Sequence, residues 1–385
     1  MFRFLRVSVV HLLAALLPAL SLAQLESVPG VAEPFKLGTF EIDATPTIGI
    51  VLRDRYIVEL AAANKALERN SRFPELPMPS DMRDLIARYE YGVKLRLYEI
   101  VNNVVLNEQL AGARRAAYVY DVSDVRALPP IIYPGKIMNA AVNFYSHVNE
   151  TGTPEQIAES RRQRRENRGV PYLFLKPSQG AVIGNGDEIV IPYGRNQIDW
   201  EVELATVIGT AAKYVSADDA PNYIFGYMIS MDISDRGGRP PGGSPFQSDW
   251  FVGKGHDTFA PMGPWIVPKE FYGDPMANLH QTLSVDGTQM QEARAGDMIH
   301  TLYELIEYAS SIITLYPGDV INNGTSGGVG MGTAVRGAQR YLQPGEEIVA
   351  SIEGIGTLRM PVVAESEPAG GTGAQLPPVN SYRED

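Results

Sequence analysis

Between Gln197 and Gly209 the sequence reads QIDWEVELATVIG, which sets Glu201 and Glu203 one valine apart inside an otherwise apolar run. On a strand, residues two apart face the same side. The two carboxylates therefore share a face, and Trp200, Val202 and Leu204 take the other. The following ATVIG is apolar on both faces, which predicts a buried strand. Two carboxylates on a buried face repel each other, and each is costly to desolvate. A divalent cation relieves both penalties. The competing reading of the same spacing is an exposed strand with a wet acidic face. Asp232 offers a third oxygen ligand, in YMISMDISDRGGR, at the end of an apolar run where a core strand would stop. With oxygen donors and no cysteine or histidine nearby, the trio selects Mg²⁺, with Mn²⁺ and Ca²⁺ as alternatives, over zinc.

A second pair lies in NFYSHVNE, where His147 and Glu150 are three residues apart. On a helical turn such residues are neighbours, so the carboxylate can orient and charge-stabilise the imidazole. The plainer reading is a surface histidine with a chance partner. Downstream, Arg161, Arg162, Arg164, Arg165 and Arg168 crowd one short segment. That run is either a solvated helix face or a basic lid over an anionic substrate.

The elements that must position these groups change character along the chain. Residues 24–46 read as an extended acidic entry. DRYIVELAAANKALER and PSDMRDLIARYEYGVKLRLYEIVNNVV carry helical spacing, the latter with Ser80 as its cap. Residues 24–132 form a smaller α/β region on this reading, and residues 133–364 the catalytic part. After the basic helix TPEQIAESRRQRRENRG, short β-rich runs dominate, broken by the helix DMIHTLYELIEYASSII and by turns such as Asn185-Gly186-Asp187. The predicted fold class is α+β with irregular sheets, not a βαβ repeat. The tail 365–385 is predicted to be disordered.

The first 23 residues carry Arg3 and Arg6, then an apolar run ending in Ser21-Leu22-Ala23, the layout of a cleaved signal peptide. The expectation is an exported protein with no stable membrane anchor after cleavage. The sequence has no cysteine, so it has neither disulfides nor a lipidated cysteine. Its net charge of −12 becomes −14 without the leader, with 31 basic against 45 acidic residues. Such a chain repels nucleic acid and anionic membranes.

NFYSHVNE, PYLFLKPSQGAVIGNGDEIVIP, DWEVELATVIG, GYMISMDISDR, GKGHDTFAPMGPWIV and LYPGDVINNGTSGGVG, together with the VDG…MQ turn, resemble the fumarylacetoacetate hydrolase family over residues 134–363. The resemblance implies a β-rich roll of mixed sheets with the active site in its mouth, and a homodimer. It implies a metal held by Glu201, Glu203 and Asp232, with a His147–Glu150 dyad that activates water. Lys254 matches the family's active-site lysine, Arg236 a substrate-facing arginine, and Thr325 the threonine of a carboxylate-holding loop. Four departures stand out: Arg239 where a glutamine is usual, His256 where phenylalanine is usual, the Gly/Pro-rich loop RGGRPPGGSPFQSD, and Ser326 in place of a proline. The first three are expected to touch the substrate pocket, with Arg239 able to pair with an additional carboxylate. The implied activity is hydrolysis of a C–C bond in a 1,3-diketo acid of the acylpyruvate type, a small anionic oxo acid. The alternatives are decarboxylation or isomerisation of 2-oxo dicarboxylic acids through a metal-bound enolate, and simple carboxylate binding.

Overall fold

The computed structural model describes residues 30–238, 249–336 and 339–369. Its centre is three antiparallel strands, Val202–Ile208, Ile224–Met231 and Ala260–Pro268, in which every residue is buried. Their sequences are nearly continuous apolar runs because elements cover both faces. Val320–Asn322, Ile137–Ala140 and Leu173–Lys176 extend the sheet on one side. On the other side, Lys36–Ile42 pairs with the Ala260–Pro268 strand at Leu37 and Ile266. Thr45–Leu52, Tyr56–Glu59 and Val119–Asp121 follow outward.

The entry segment is therefore already a strand from Lys36. The N-terminal strands continue the same sheet as the catalytic ones. One cluster of buried apolar side chains contains residues of both regions, among them Phe35, Leu97, Trp200 and Met360. The turns Asp43-Ala44 and Arg53-Asp54 hold both central residues at positive φ, the twist that tight hairpins require. A second, five-stranded sheet is built from Thr288–Arg294, His280–Val285, Glu347–Ile352, Gly356–Ala364 and Ile189–Ile191.

The long helical stretch after residue 80 differs from its expectation in two ways. Asp81, not Ser80, is the cap, its side chain accepting from the Asp84 N–H. The stretch is also two helices, Met82–Arg88 and Val93–Leu106, divided where Gly92 takes φ 113°. That conformation favours glycine and cannot continue an α-helix. The basic helix forms over Pro154–Glu166 behind a Thr153–Gln156 capping box, and Leu302–Ile312 behind a Thr301–Glu304 box. Among the described residues, no helix is long and apolar enough to cross a membrane. The leader, Arg239 and residues 370–385 of the tail lie outside the described residues.

Candidate active site

Register assembles the acidic trio. Val202 opposes Met231 and Glu203 opposes Ser230 across the antiparallel pair. One step further, the Asp232 N–H donates to the Glu201 carbonyl at 2.9 Å. Residues directly opposite share a face of a sheet, so Asp232 joins Glu201 and, by the two-residue period, Glu203. The three offer ligand oxygens within 4.8 Å of one another, and all three side chains are buried. The wet-strand reading of the glutamate pair therefore fails.

Three cations stand around the trio. Lys254 Nζ donates to Glu201 at 3.0 Å, Asp232 at 2.5 Å and Ser234 Oγ at 2.6 Å. Lys176 Nζ donates to the other Asp232 oxygen at 2.5 Å and to the Ile233 carbonyl at 2.9 Å. Arg236 bridges Asp199, at 3.0 Å, and Glu201. Burial drives Glu201 upward, but Lys254, Arg236 and His147 together bring it below the ordinary carboxylate range. Glu203 moves the opposite way. Burial raises it well above that range, and the Asp232 and Glu201 charges add to the rise. One Glu203 oxygen accepts the Gly324 N–H at 2.9 Å, and no cation pairs with Glu203 in the described residues. Four buried acids (Asp199, Glu201, Glu203, Asp232) thus face three cations, with the deficit of positive charge at Glu203. An all-oxygen trio with one carboxyl unpaired among the described residues fits a hard divalent cation.

His147 ends a short 3₁₀ turn, Tyr145–His147, and its Nδ1 is hydrogen-bonded to Glu150 Oε1. The other Glu150 oxygen accepts the Gly328 N–H at 2.7 Å. This arrangement leaves Nε2 as the imidazole's working nitrogen. His147, Glu201, Asp232, Arg236, Lys254 and Thr325 line one cleft of about 60 Å³. Phe174 and Trp250, their rings 4.6 Å apart, form its apolar wall with Val142.

Several expected roles take a different form. The Thr325 hydroxyl donates to the Val202 carbonyl at 3.0 Å and accepts from Gln291 at 2.8 Å. It braces the glutamate strand, and the neighbouring Gly324 N–H holds Glu203. Arg236 lines the cleft with its guanidinium already engaged by Asp199 and Glu201. His256 does not line the cleft; it turns to Asp235 at 3.1 Å and packs on Phe259. None of the five arginines of the basic segment lines it either.

Sequence reasoning missed Lys176, Asp199 and Gln291. Asp199 continues the two-residue alternation back from Glu201. It is fully buried, accepting the Gly330 N–H at 2.6 Å and the Met331 N–H at 3.1 Å. Lys176 carried the signal of a lone cation closing the apolar strand Leu173–Lys176. Gln291, which accepts the Val202 N–H at 3.1 Å, carried only its place at the end of the VDG…MQ turn.

A sequence profile of the fumarylacetoacetate (FAA) hydrolase C-terminal family matches residues 136–363. The 2,4-didehydro-3-deoxy-L-rhamnonate hydrolase of Sphingomonas sp. (strain SKA58) is 36% identical over 265 residues, covering 66% of this chain and 84% of that protein. The mitochondrial oxaloacetate tautomerase FAHD2A of Bos taurus is 34% identical over 241 residues, covering 63% and 70%. Among solved structures, maleylpyruvate hydrolase from Sphingobium sp. SYK-6, in complex with manganese(II) ion and pyruvate, superposes with a TM-score of 0.61 at 26% identity, over 86% of this chain and 100% of that one.

Proposed function

The chain belongs to the fumarylacetoacetate hydrolase family, and on that premise we propose that it hydrolyses a C–C bond in an acylpyruvate-type 1,3-diketo acid. The observation that carries the reading is the meeting, in one cleft, of Glu201 and Asp232, whose oxygens cluster with those of Glu203 behind them, with a histidine whose Nδ1 is held by Glu150. When bound, a divalent cation at Glu201, Glu203 and Asp232, with Mg²⁺ as our choice, supplies Lewis-acid stabilisation of a developing enolate, typically worth several kcal/mol. His147 takes a proton from water at Nε2, and Glu150 steadies the imidazolium that results. Lys254, at the edge of the trio, faces the negative charge that develops on the leaving fragment. Phe174 and Trp250 exclude bulk water and strengthen each of these interactions. Arg236 holds Glu201 in position and presents its outer edge to an anionic substrate. Arg239 is proposed as a further carboxylate partner.

The relative named an oxaloacetate tautomerase supports a second reading, in which the same cleft isomerises a 2-oxo dicarboxylic acid; decarboxylation of such an acid is a further alternative. In the decarboxylation no water attacks, so His147 matters less there. Loss of the enol absorbance of acylpyruvates and release of pyruvate, followed with and without Mg²⁺ or Mn²⁺, test the first reading. Turnover of oxaloacetate alone, surviving in His147→Ala, would replace it with the second. Export and dimerisation belong to the same proposal. They are checked by the N-terminal residue of the mature protein, expected near Gln24, and by sedimentation of the purified chain.

A further inference from the structure

The arginine-rich helix Pro154–Glu166 has no buried residue. A helix without an apolar face is held by specific polar contacts or not at all. Here those contacts converge on the turn that carries the dyad. Arg161 Nη2 donates to the Ser146 carbonyl at 2.5 Å. The Arg165 guanidinium lies 4.6 Å from the centre of the Tyr145 ring. Ser160 Oγ accepts from Asn149 at 3.1 Å. Behind the helix, Arg168 fastens its trailing end to the Ile299 carbonyl at 2.9 Å and to Glu304 at 2.8 Å. Tyr145, Ser146 and Asn149 bracket His147 and precede Glu150. Only Arg162 spends its charge within the helix, on Glu159 and Glu166.

We propose that Arg161 is a positioning residue for His147, and that with Arg165 it makes this helix a clamp on the catalytic turn. The inference rests on the reading of His147–Glu150 as the water-activating pair. The physical reason is that the turn buries none of its own residues and is held by polar contacts, among them the Ser146 N–H donating to Asp297 at 3.1 Å. Ser146 and Glu150 also reach the glycine loop through Gly327, at 2.8 Å, and Gly328. Arg161 supplies a charge-assisted bond to the carbonyl immediately before His147, and such a bond is stronger than a neutral one. A shift of the imidazole by about 1 Å is enough to lower turnover about 100-fold.

The test compares Arg161→Gln, Arg161→Lys and Arg162→Gln in the full metal-loaded protein. For Arg161→Gln the expected result is kcat lowered about 10- to 100-fold with KM near the parent value, and faster backbone hydrogen exchange in the segment 144–150. Arg161→Lys keeps a charged donor and recovers most of kcat. Arg162→Gln changes neither. An unchanged kcat in Arg161→Gln overturns the proposal. So does a rise in KM alone, the mark of an arginine that binds substrate. Metal uptake, measured in parallel, is expected to be unchanged in all three; its loss in Arg161→Gln would indicate general disruption and also overturn the assignment. His147→Ala separates the two layers. If it hydrolyses as fast as the parent, the dyad reading fails and the clamp falls with it. If it is inactive while Arg161→Gln is not, the clamp alone fails.

Discussion

The two halves of the cleft are built from opposite materials. The acidic trio sits on strands buried on both faces, in a register fixed by neighbours on either side. The dyad sits on a three-residue turn held by backbone donors from a glycine loop and by a helix with no apolar face. The first is rigid and electrostatically loaded. The second is bordered by Arg161 and Arg165 and held by hydrogen bonds to Gly327, Gly328 and Asp297. The contrast teaches where each kind of chemistry can reside. A site that gathers four acids needs the sheet to resist their repulsion, whereas a group that moves a proton needs its orientation held to within about 1 Å, which polar contacts to a short turn can supply.

The largest expected effect is at the rigid half. Glu203→Gln removes the one acid of the trio with no cationic partner. Metal affinity by calorimetry is expected to fall more than about 100-fold, beyond the usual cost of losing an outer-shell partner. Because burial disfavours the ionised form of Glu203, the neutral amide is expected to raise the melting temperature of the metal-free protein at neutral pH. A lower melting temperature would mean that Glu203 is solvated or otherwise paired.

Next comes His147→Ala, expected to lower hydrolysis by about 10²- to 10⁴-fold while leaving metal affinity intact. Loss of both together would erase the distinction between the halves.

The third effect is a pH dependence confined to the trio. Glu203 has its folded-state pKa raised. In the metal-free protein its stabilising contribution is therefore complete below the ordinary carboxylate pKa and is lost as pH rises towards the folded value. Metal binding needs the ionised form and reverses the trend. The rise in melting temperature on adding Mg²⁺ is expected to grow between about pH 5 and about pH 8. A shift that shrinks over that range would remove Glu203 from the ligand set.

The smallest effect lies away from both. Thr301→Ala removes the capping box of Leu302–Ile312 and is expected to cost about 1 kcal/mol of stability, read by denaturant unfolding, with kcat unchanged.

Much of the trio was legible because strand alternation is a local rule. Glu201 and Glu203 share a face on any extended backbone, and the apolar residues after them announced burial. The i,i+3 spacing of His147 and Glu150 was equally local, although the turn proved to be 3₁₀. The helix after residue 80 misled because apolar spacing runs through Gly92, while left-handed backbone at one residue stops a helix regardless of its neighbours. The basic segment left two readings open, a solvated helix face and a lid, and its helix indeed buries no residue. Charge density says nothing of direction, and its arginines turn onto Tyr145, Ser146 and Glu304 instead of the cleft. Lys176 and Gln291 were out of reach, since their meaning lies in partners 56 and 89 residues away.

The sequence by itself determined which residues could be ligands and bases, and that the strands bearing them would be buried, because side-chain chemistry and backbone periodicity act over a few residues. Tertiary structure alone decided which charges meet. The register that sets Asp232 opposite Glu201, the lysines that share Asp232 and the Gly324 N–H that holds Glu203 all arise from long-range pairing. Electrostatic energy depends on distance and burial, and neither exists until the chain has closed.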